Sequence, residues 1–396
     1  MSARRKVCIV VASRANYGRI KAVLQAVRAH PALELQLIVG ASALLERFGR
    51  AIDVIRADGF EPNATVYLVI EGETPVTMAK STGLAIIELA TIFENLKPDI
   101  VLTVADRYET MATAVASAYM NIPLAHTQGG EVTGSIDESV RHAITKLAHV
   151  HFPTTEMSRE RLIRMGEDPA RIFMTGCPSI DAIASIDLTI PKDFFARTGV
   201  GGPIDPGSRY LLVVQHPVTT EYEEAAAQVD GTIEAIRRLK HPTVWLWPNV
   251  DAGSDVISKR LRVFRERERP AYLHLYRNFS VEDYARVMAS SGCVVGNTSS
   301  SLREGAFLGA PAVNIGTRQQ GRERAGNVID VDYSADAIER AIRFQLSNGR
   351  YPQSTLYGDG KAAARIAEHL ATVPLKPIQK ALSYDFSSFP GIPTTR

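Results

Sequence analysis

The chain is poor in cysteine: three residues in 396, Cys8, Cys177 and Cys293. They are far apart and odd in number. Each stands in or beside an apolar strand-like run, so buried free thiols in a reducing compartment are expected, not a disulfide framework. No zinc-type cysteine pair is present either. Net charge is nearly absent, +2 from 45 basic and 43 acidic residues, which removes the bulk electrostatic case for nucleic acid or a membrane surface. The cluster Arg4-Arg5-Lys6 is short and terminal and reads as a solvated end. No apolar segment long enough for a signal peptide or membrane span is evident, and a cytoplasmic location is the default expectation. The first strand–loop–helix lacks a GxGxxG fingerprint, and no Walker-type lysine motif occurs. A dinucleotide cofactor and P-loop nucleotide hydrolysis are therefore not indicated.

What is present is an ordinary globular composition, 45% hydrophobic and 22% charged, over a length that suggests two or three domains. Residues 6–11 form a continuous apolar run, as expected of a parallel strand buried on both faces. Strand-like runs follow at 35–39, 66–70, 99–104, 150–152 and 171–175. Helical patterns fill the intervals, at 42–58 and 75–96 among others. Such alternation indicates a doubly wound parallel sheet. Residues 186–208 are rich in proline and glycine and mark a linker. A second α/β series then runs through strands at 210–214, 244–247, 272–275, 293–295 and 312–315, with helices at 334–347 and 360–372. The expected organisation is a first Rossmann-like unit at 1–185, a linker at 186–208, a second unit at 209–373, and a proline-rich tail at 374–396. Two such units imply a cleft between the carboxyl ends of their sheets, a common home for small molecules.

The strand ends carry the chemistry. Arg14 follows the first strand, where a cation would meet an anionic ligand, although a surface arginine is an equal alternative. Asp106 and Arg107 follow the strand at 99–104, and Asp106 has helix capping as its bland reading. The loop at 125–142 holds Glu131, Asp137, Glu138, Arg141 and two histidines, more polar groups than a turn needs. With His216 across the cleft, these carboxylates suit proton abstraction and return. In the second unit, the three serines at 299–301 stand before a helical run and suit a phosphate. Arg318 would add a bidentate contact, Glu304 would accept from ribose hydroxyls, and Phe279 would lie against a base. His149 and His151 share a strand face but lack a third ligand, so they read as structural; no metal site is expected. His126 and His142 are ambiguous.

These motifs, in order, resemble the hydrolysing UDP-N-acetylglucosamine 2-epimerases of bacterial sialic- and legionaminic-acid pathways. The matching segments are 13–17 (SRANY), 106–109 (DRYE), 129–146 (GGEVTGSIDESVRHAITK), 216–219 (HPVT), 247–254 (WPNVDAGS) and 316–319 (GTRQ), and the likeness spans residues 6–370. The resemblance implies a GT-B fold, no metal or redox cofactor, and a homodimer or homotetramer. It also implies a reaction: anti elimination of the nucleoside diphosphate across C1–C2, then water addition to the 2-acetamidoglucal with inversion at C2. By matching positions, Asp106, Asp137 and His216 would be the acid–base groups, supported by Arg141. Arg14, Arg107, Asn249, Asp251, Gly253, Ser254, Phe279, Ser299, Ser300, Glu304 and Arg318 would hold the nucleotide sugar, linked to UDP or GDP. Two positions depart from the family pattern. Gln128 stands where many relatives carry a glutamate, and a glutamine exchanges no proton at neutral pH. Ala105 replaces a common glycine before Asp106. With no proton carrier at 128, either Glu131 takes over as the acid–base group or the substrate is a modified sugar such as a 2,4-diacetamido-trideoxy hexose, with Gln128 itself on the substrate wall.

Overall fold

A computed structural model describes residues 4–383 except 73, 198 and 249–252. Two parallel sheets organise it. The first holds β1 (Arg5–Val11), β2 (Leu33–Gly40), β3 (Ala64–Val66), β4 (Ile100–Val104), β5 (Leu124–Thr127) and β6 (Val150–Phe152), in the order β3-β2-β1-β4-β5-β6. The second holds β7 (Val200–Gly201), β8 (Leu211–Val214), β9 (Thr243–Leu246), β10 (Leu273–Tyr276), β11 (Cys293–Gly296), β12 (Ala312–Ile315) and β13 (Val328–Val331). Its order is β13-β12-β11-β8-β9-β10-β7, and β7 alone runs antiparallel to its neighbour.

Both sheets are buried on two faces, as the apolar runs require. In β1 the residues Val7, Ile9 and Val11 enter one core cluster, while Cys8 and Val10 enter another. In β8 the residues Leu211 and Val213 oppose Leu212 and Val214 in the same way. Each such Val, Ile or Leu contributes roughly 1.5–3 kcal/mol on burial. The three cysteines are buried and free.

Several expectations change here. The stretch 42–58 is not one helix. It is two 3-10 turns, Ala41–Leu44 and Glu46–Phe48, followed by the helix Ala51–Ala57. Gly49 and Arg50 take φ of 81° and 38° and break the run. The third strand stops at Val66. Residues 171–175 make no strand, only an isolated bridge from Ile172 to His151, because the 3-10 turn Pro169–Arg171 consumes the approach. The helix Pro75–Leu96 is long and apolar enough, by length and composition, to cross a membrane. Its face Ser81, Ala85, Leu89 and Phe93 is nevertheless buried on the first sheet, while Val76, Leu84 and Ile87 are exposed.

The last helix, Ala362–Thr372, was expected in the second unit. It crosses back instead, and Ile366, Ala367 and Leu370 join the core beside β1. The amphipathic pattern requires a sheet to cover it but does not say which one. The tail follows the same route: Arg171 donates to the carbonyls of Pro374 and Lys376, and the Lys380 ammonium reaches Glu167 at 2.6 Å.

Candidate active site

Each sheet reverses its strand order once, between β1 and β4 in the first and between β8 and β11 in the second. Crevices form at the carboxyl ends of strands at such reversals. All four strands deliver polar residues into one cleft of about 1080 Å³ between the halves.

From β1 come Ser13 and Arg14. The Ser13 hydroxyl caps the helix Arg14–Ala29 by accepting from the Asn16 amide, so Arg14 stands on its first turn and in the cleft wall. Burial presses its pKa down, and the nearby carboxylates of Asp283 and Glu282 oppose that. From β4 comes Asp106. It does not cap the next helix, because Arg107 occupies the N-cap position and no side chain caps it. The Asp106 carboxylate is instead paired with the guanidinium of Arg141, a fully buried residue that also donates to the Glu131 carbonyl at 2.8 Å. Arg107 lines the cleft while its Nε donates to Glu109 at 3.2 Å. Asp137 opens the helix Asp137–Leu147 and faces the cleft, where the helix dipole favours its negative charge.

From the second sheet, β8 presents His216. Its backbone is clamped by Asn297, which accepts from the His216 amide and donates to its carbonyl, both at 2.8 Å. The side chain lines the cleft. After β11, Thr298 caps the short turn Ser299–Leu302, and the side chains of Ser299 and Ser300 face the cleft. Ser301 turns inward to the Thr298 carbonyl, which leaves at the cleft Ser299, whose hydroxyl accepts from Arg19 at 3.3 Å, and Ser300, whose hydroxyl lies 2.6 Å from that of Tyr284. Glu304, Arg318, Ser254 and Phe279 also line the cleft. One Glu304 oxygen, Oε2, is buried without a hydrogen-bond partner among the described residues. Phe279 packs on Tyr276, with ring centroids 4.6 Å apart. Gly253 does not line the cleft. It takes φ of 92° immediately before the helix Ser254–Glu268 and turns Ser254 inward. Asn249 and Asp251 lie outside the described residues.

Two candidates are corrected. Glu131 does not face the cleft. Its carboxylate is buried, accepting from the Thr154 hydroxyl at 2.7 Å and lying 3.4 Å from Arg322 and 4.0 Å from Arg303. Burial alone would raise its pKa, but Arg303 and Arg322 outweigh that and keep it lowered. It is an ionised counter-ion that ties the 125–142 loop to the second half. Gly134 completes that tie: its amide donates to the Arg318 carbonyl, and a Cβ there would sit 2.0 Å from the Thr317 oxygen. Gln128 also turns away from the cleft. It adopts φ of 61°, is 1% exposed, and its amide donates to the Cys177 thiol at 3.2 Å. Gln128→Glu is therefore expected to place a carboxylate against a buried thiol, lowering Tm by several degrees without faster turnover. A faster enzyme with unchanged Tm would restore Gln128 to the substrate wall.

The residues missed from the sequence are arginines. Arg19, one turn and a half beyond Arg14, lies 3.8 Å from Asp106 and donates to Ser299 at 3.3 Å, so it bridges the two halves. Arg303 and Arg322 face the Glu131 carboxylate, and Arg322 also lines the cleft. The repeated arginines at 318, 322 and 324 were a usable signal. His149 and His151 are structural: His149 bonds the Ile378 carbonyl and His151 bonds Glu167. No cluster of metal-binding side chains occurs among the described residues.

A model of the UDP-N-acetylglucosamine 2-epimerase family matches residues 25–371. The chain is 35% identical over 372 residues to a UDP-N,N'-diacetylbacillosamine 2-epimerase (hydrolyzing) of Legionella pneumophila, covering 94% of this chain and 97% of that one. It is 33% identical to the polysialic acid biosynthesis protein P7 of Escherichia coli, covering 85% of each. The crystal structure of UDP-GlcNAc 2-epimerase from Neisseria meningitidis bound to UDP-GlcNAc superposes with a TM-score of 0.76 at 19% identity, over 92% of this chain and 99% of that one. That likeness bears on the fold, two Rossmann-like halves of the GT-B type. The chain belongs to the UDP-N-acetylglucosamine 2-epimerase family.

Proposed function

We propose that the chain is a hydrolysing nucleotide-sugar 2-epimerase that converts a UDP-linked 2-acetamido sugar of gluco type into UDP and the free manno-type sugar, feeding the synthesis of nonulosonic acids. One observation carries this reading: Asp106 and Asp137, from one sheet, share a cleft with His216, Ser299, Ser300 and Arg318 from the other. Elimination needs both sets at once. Asp106 takes the C2 proton, the C2–H electrons form the C1=C2 bond, and the C1–O bond to the diphosphate breaks. Charge grows on the departing diphosphate, and Arg14, Arg19, Arg318 and the two serines supply cations and donors where it grows. Water then adds its oxygen to C1 while the C1=C2 electron pair takes a proton at C2 from the opposite face; Asp137 and His216 are assigned to supply that proton, and the proton lost by the water restores them.

The sugar is assigned as a 2,4-diacetamido-trideoxy hexose in preference to N-acetylglucosamine. The likeness to the Legionella UDP-N,N'-diacetylbacillosamine 2-epimerase supports this, at 35% identity over nearly the whole chain. Incubation with each UDP-sugar in D2O, followed by NMR, tests the reading. Free UDP with a manno-type sugar deuterated at C2 is expected, faster from the 4-acetamido substrate. An epimerised sugar still on its nucleotide would overturn the hydrolytic assignment. UDP release without deuterium at C2 would mean transfer or simple hydrolysis.

Buried free thiols support a cytoplasmic location. We assign the exposed apolar face of helix Pro75–Leu96, with Val76, Leu84 and Ile87, to contact with a second copy. A monomer in sedimentation at micromolar concentration would remove that assignment.

A further inference from the structure

His126 is the third residue of β5, paired with Thr103 of β4 and His151 of β6. It is fully buried and does not line the cleft. Its Nε2 lies 2.8 Å from the Ala105 carbonyl oxygen, and its Nδ1 lies 3.4 Å from the Thr145 hydroxyl. Ala105 is the residue before Asp106, and it holds φ of 62°, in the left-handed region that an L residue with a Cβ avoids. Such a conformation persists where the surroundings over-determine it. Here β5 does so twice, because the Ala105 amide donates to the Thr127 carbonyl at 3.2 Å while His126 holds the Ala105 oxygen.

That oxygen belongs to the same peptide plane as the Asp106 amide. Fixing it fixes the plane from which the Asp106 side chain leaves toward the cleft, where Arg141 and Arg19 receive it. The ring is suited to holding and not to proton transfer. Burial drives its pKa down to about 3, so the imidazole stays neutral, with Nε2 protonated toward the carbonyl.

We propose that His126 is a positioning residue of the elimination: it clamps left-handed Ala105 and thereby aims the Asp106 carboxylate at C2. This rests on Asp106 being the base. Three variants test it, His126→Phe, His126→Gln and His126→Phe combined with Ala105→Gly, measured beside the wild type. The readouts are C2 deuterium incorporation, the Kd for UDP alone, and the crystal structure of the His126→Phe protein. His126→Phe is expected to slow exchange about 100-fold while the UDP Kd stays within about twofold, the scale set by misplacing a reacting group by an ångström. His126→Gln, whose amide can still donate, recovers part of the loss. Ala105→Gly recovers part too, because glycine takes the left-handed conformation without strain. The crystal structure of His126→Phe shows the peptide between residues 105 and 106 turned over. Wild-type exchange in His126→Phe, a parallel loss of UDP binding, or an unmoved peptide would each overturn the proposal. If His126→Phe does not fold, His126→Gln with and without Ala105→Gly gives the same comparison. A wild type that binds UDP but exchanges no deuterium would instead sink the functional reading, and the peptide's orientation would still judge the clamp.

Discussion

Asp106→Asn is expected to slow C2 deuterium incorporation by about 10²–10⁴-fold, the range a positioned proton acceptor supplies, and to leave UDP binding nearly intact. Asparagine keeps the shape of the side chain and an oxygen to accept from Arg141, but it removes the counter-ion of a buried guanidinium, so Tm is expected to fall and exchange is compared in the folded protein. What it loses is the capacity to take a proton. The diphosphate contacts are assigned by the proposal to other residues, Arg14, Ser299, Ser300 and Arg318, which line the cleft from different strand ends. Retained exchange in a folded Asp106→Asn protein would show that the base lies elsewhere, with Asp137 next in line. Lost UDP binding would show that Asp106 acts through the cationic wall, by way of Arg19, and not on the sugar.

The largest stability effect is expected far from the chemistry, at Glu167. Its carboxylate is 2% exposed and accepts from Lys146 at 2.6 Å, from His151 at 3.0 Å and from the tail's Lys380 at 2.6 Å. Glu167→Gln leaves two ammonium groups without their counter-ion, and because Lys146 and Lys380 keep 39% and 24% of their side chains exposed, water offsets part of the ~3–5 kcal/mol that breaking a fully buried pair costs. A clear drop in Tm is the expected result, and an unchanged Tm would mean that the cluster is adequately solvated. The pH dependence has a definite sign. Burial alone would raise the Glu167 pKa, but His151, Lys146 and Lys380 prevail and bring it from 4.5 down to about 2. A depressed carboxylate contributes stability that is fully present above its unfolded pKa and is lost as pH falls through the folded one. Wild-type Tm should therefore fall between pH 4.5 and about 2, and Glu167→Gln should lack that component. Equal acid sensitivity in the two proteins would assign the loss to other carboxylates.

Much of this is legible in the sequence, and the reason is physical. Parallel strands buried on both faces must be nearly continuous in apolar residues, so 6–11, 99–104 and 210–214 announce themselves. Polar groups directly after such strands have one place to go. Asp106, His216 and the serines at 299 and 300 were found that way, and all four line the cleft.

Glu131 and Gln128 show where that logic ends. Both lie in the loop after β5, where Gln128 and Gly130 take φ of 61° and 76°. Each left-handed residue redirects the chain, so sequence distance from a strand end no longer tells which way a side chain points. Gln128 ends against Cys177 and Glu131 against two arginines that belong to the other half. A carboxylate answered by cations from a distant segment carries no local signature. The tail was unreadable for a similar reason, because Lys380 and Glu167 are 213 residues apart.

The return of helix Ala362–Thr372 to the first sheet has a consequence for anyone who would divide this protein. The first half is not a contiguous piece of gene. A fragment ending near residue 185 would lack the side chains of Ile366 and Leu370 that finish its core beside β1. A fragment beginning near 209 would carry an apolar helix with no surface to cover. The two halves can be separated in space only by hinging. A working split would join the terminal helix back to the first segment, in the manner of a circular permutation, with the second half expressed as the inserted piece.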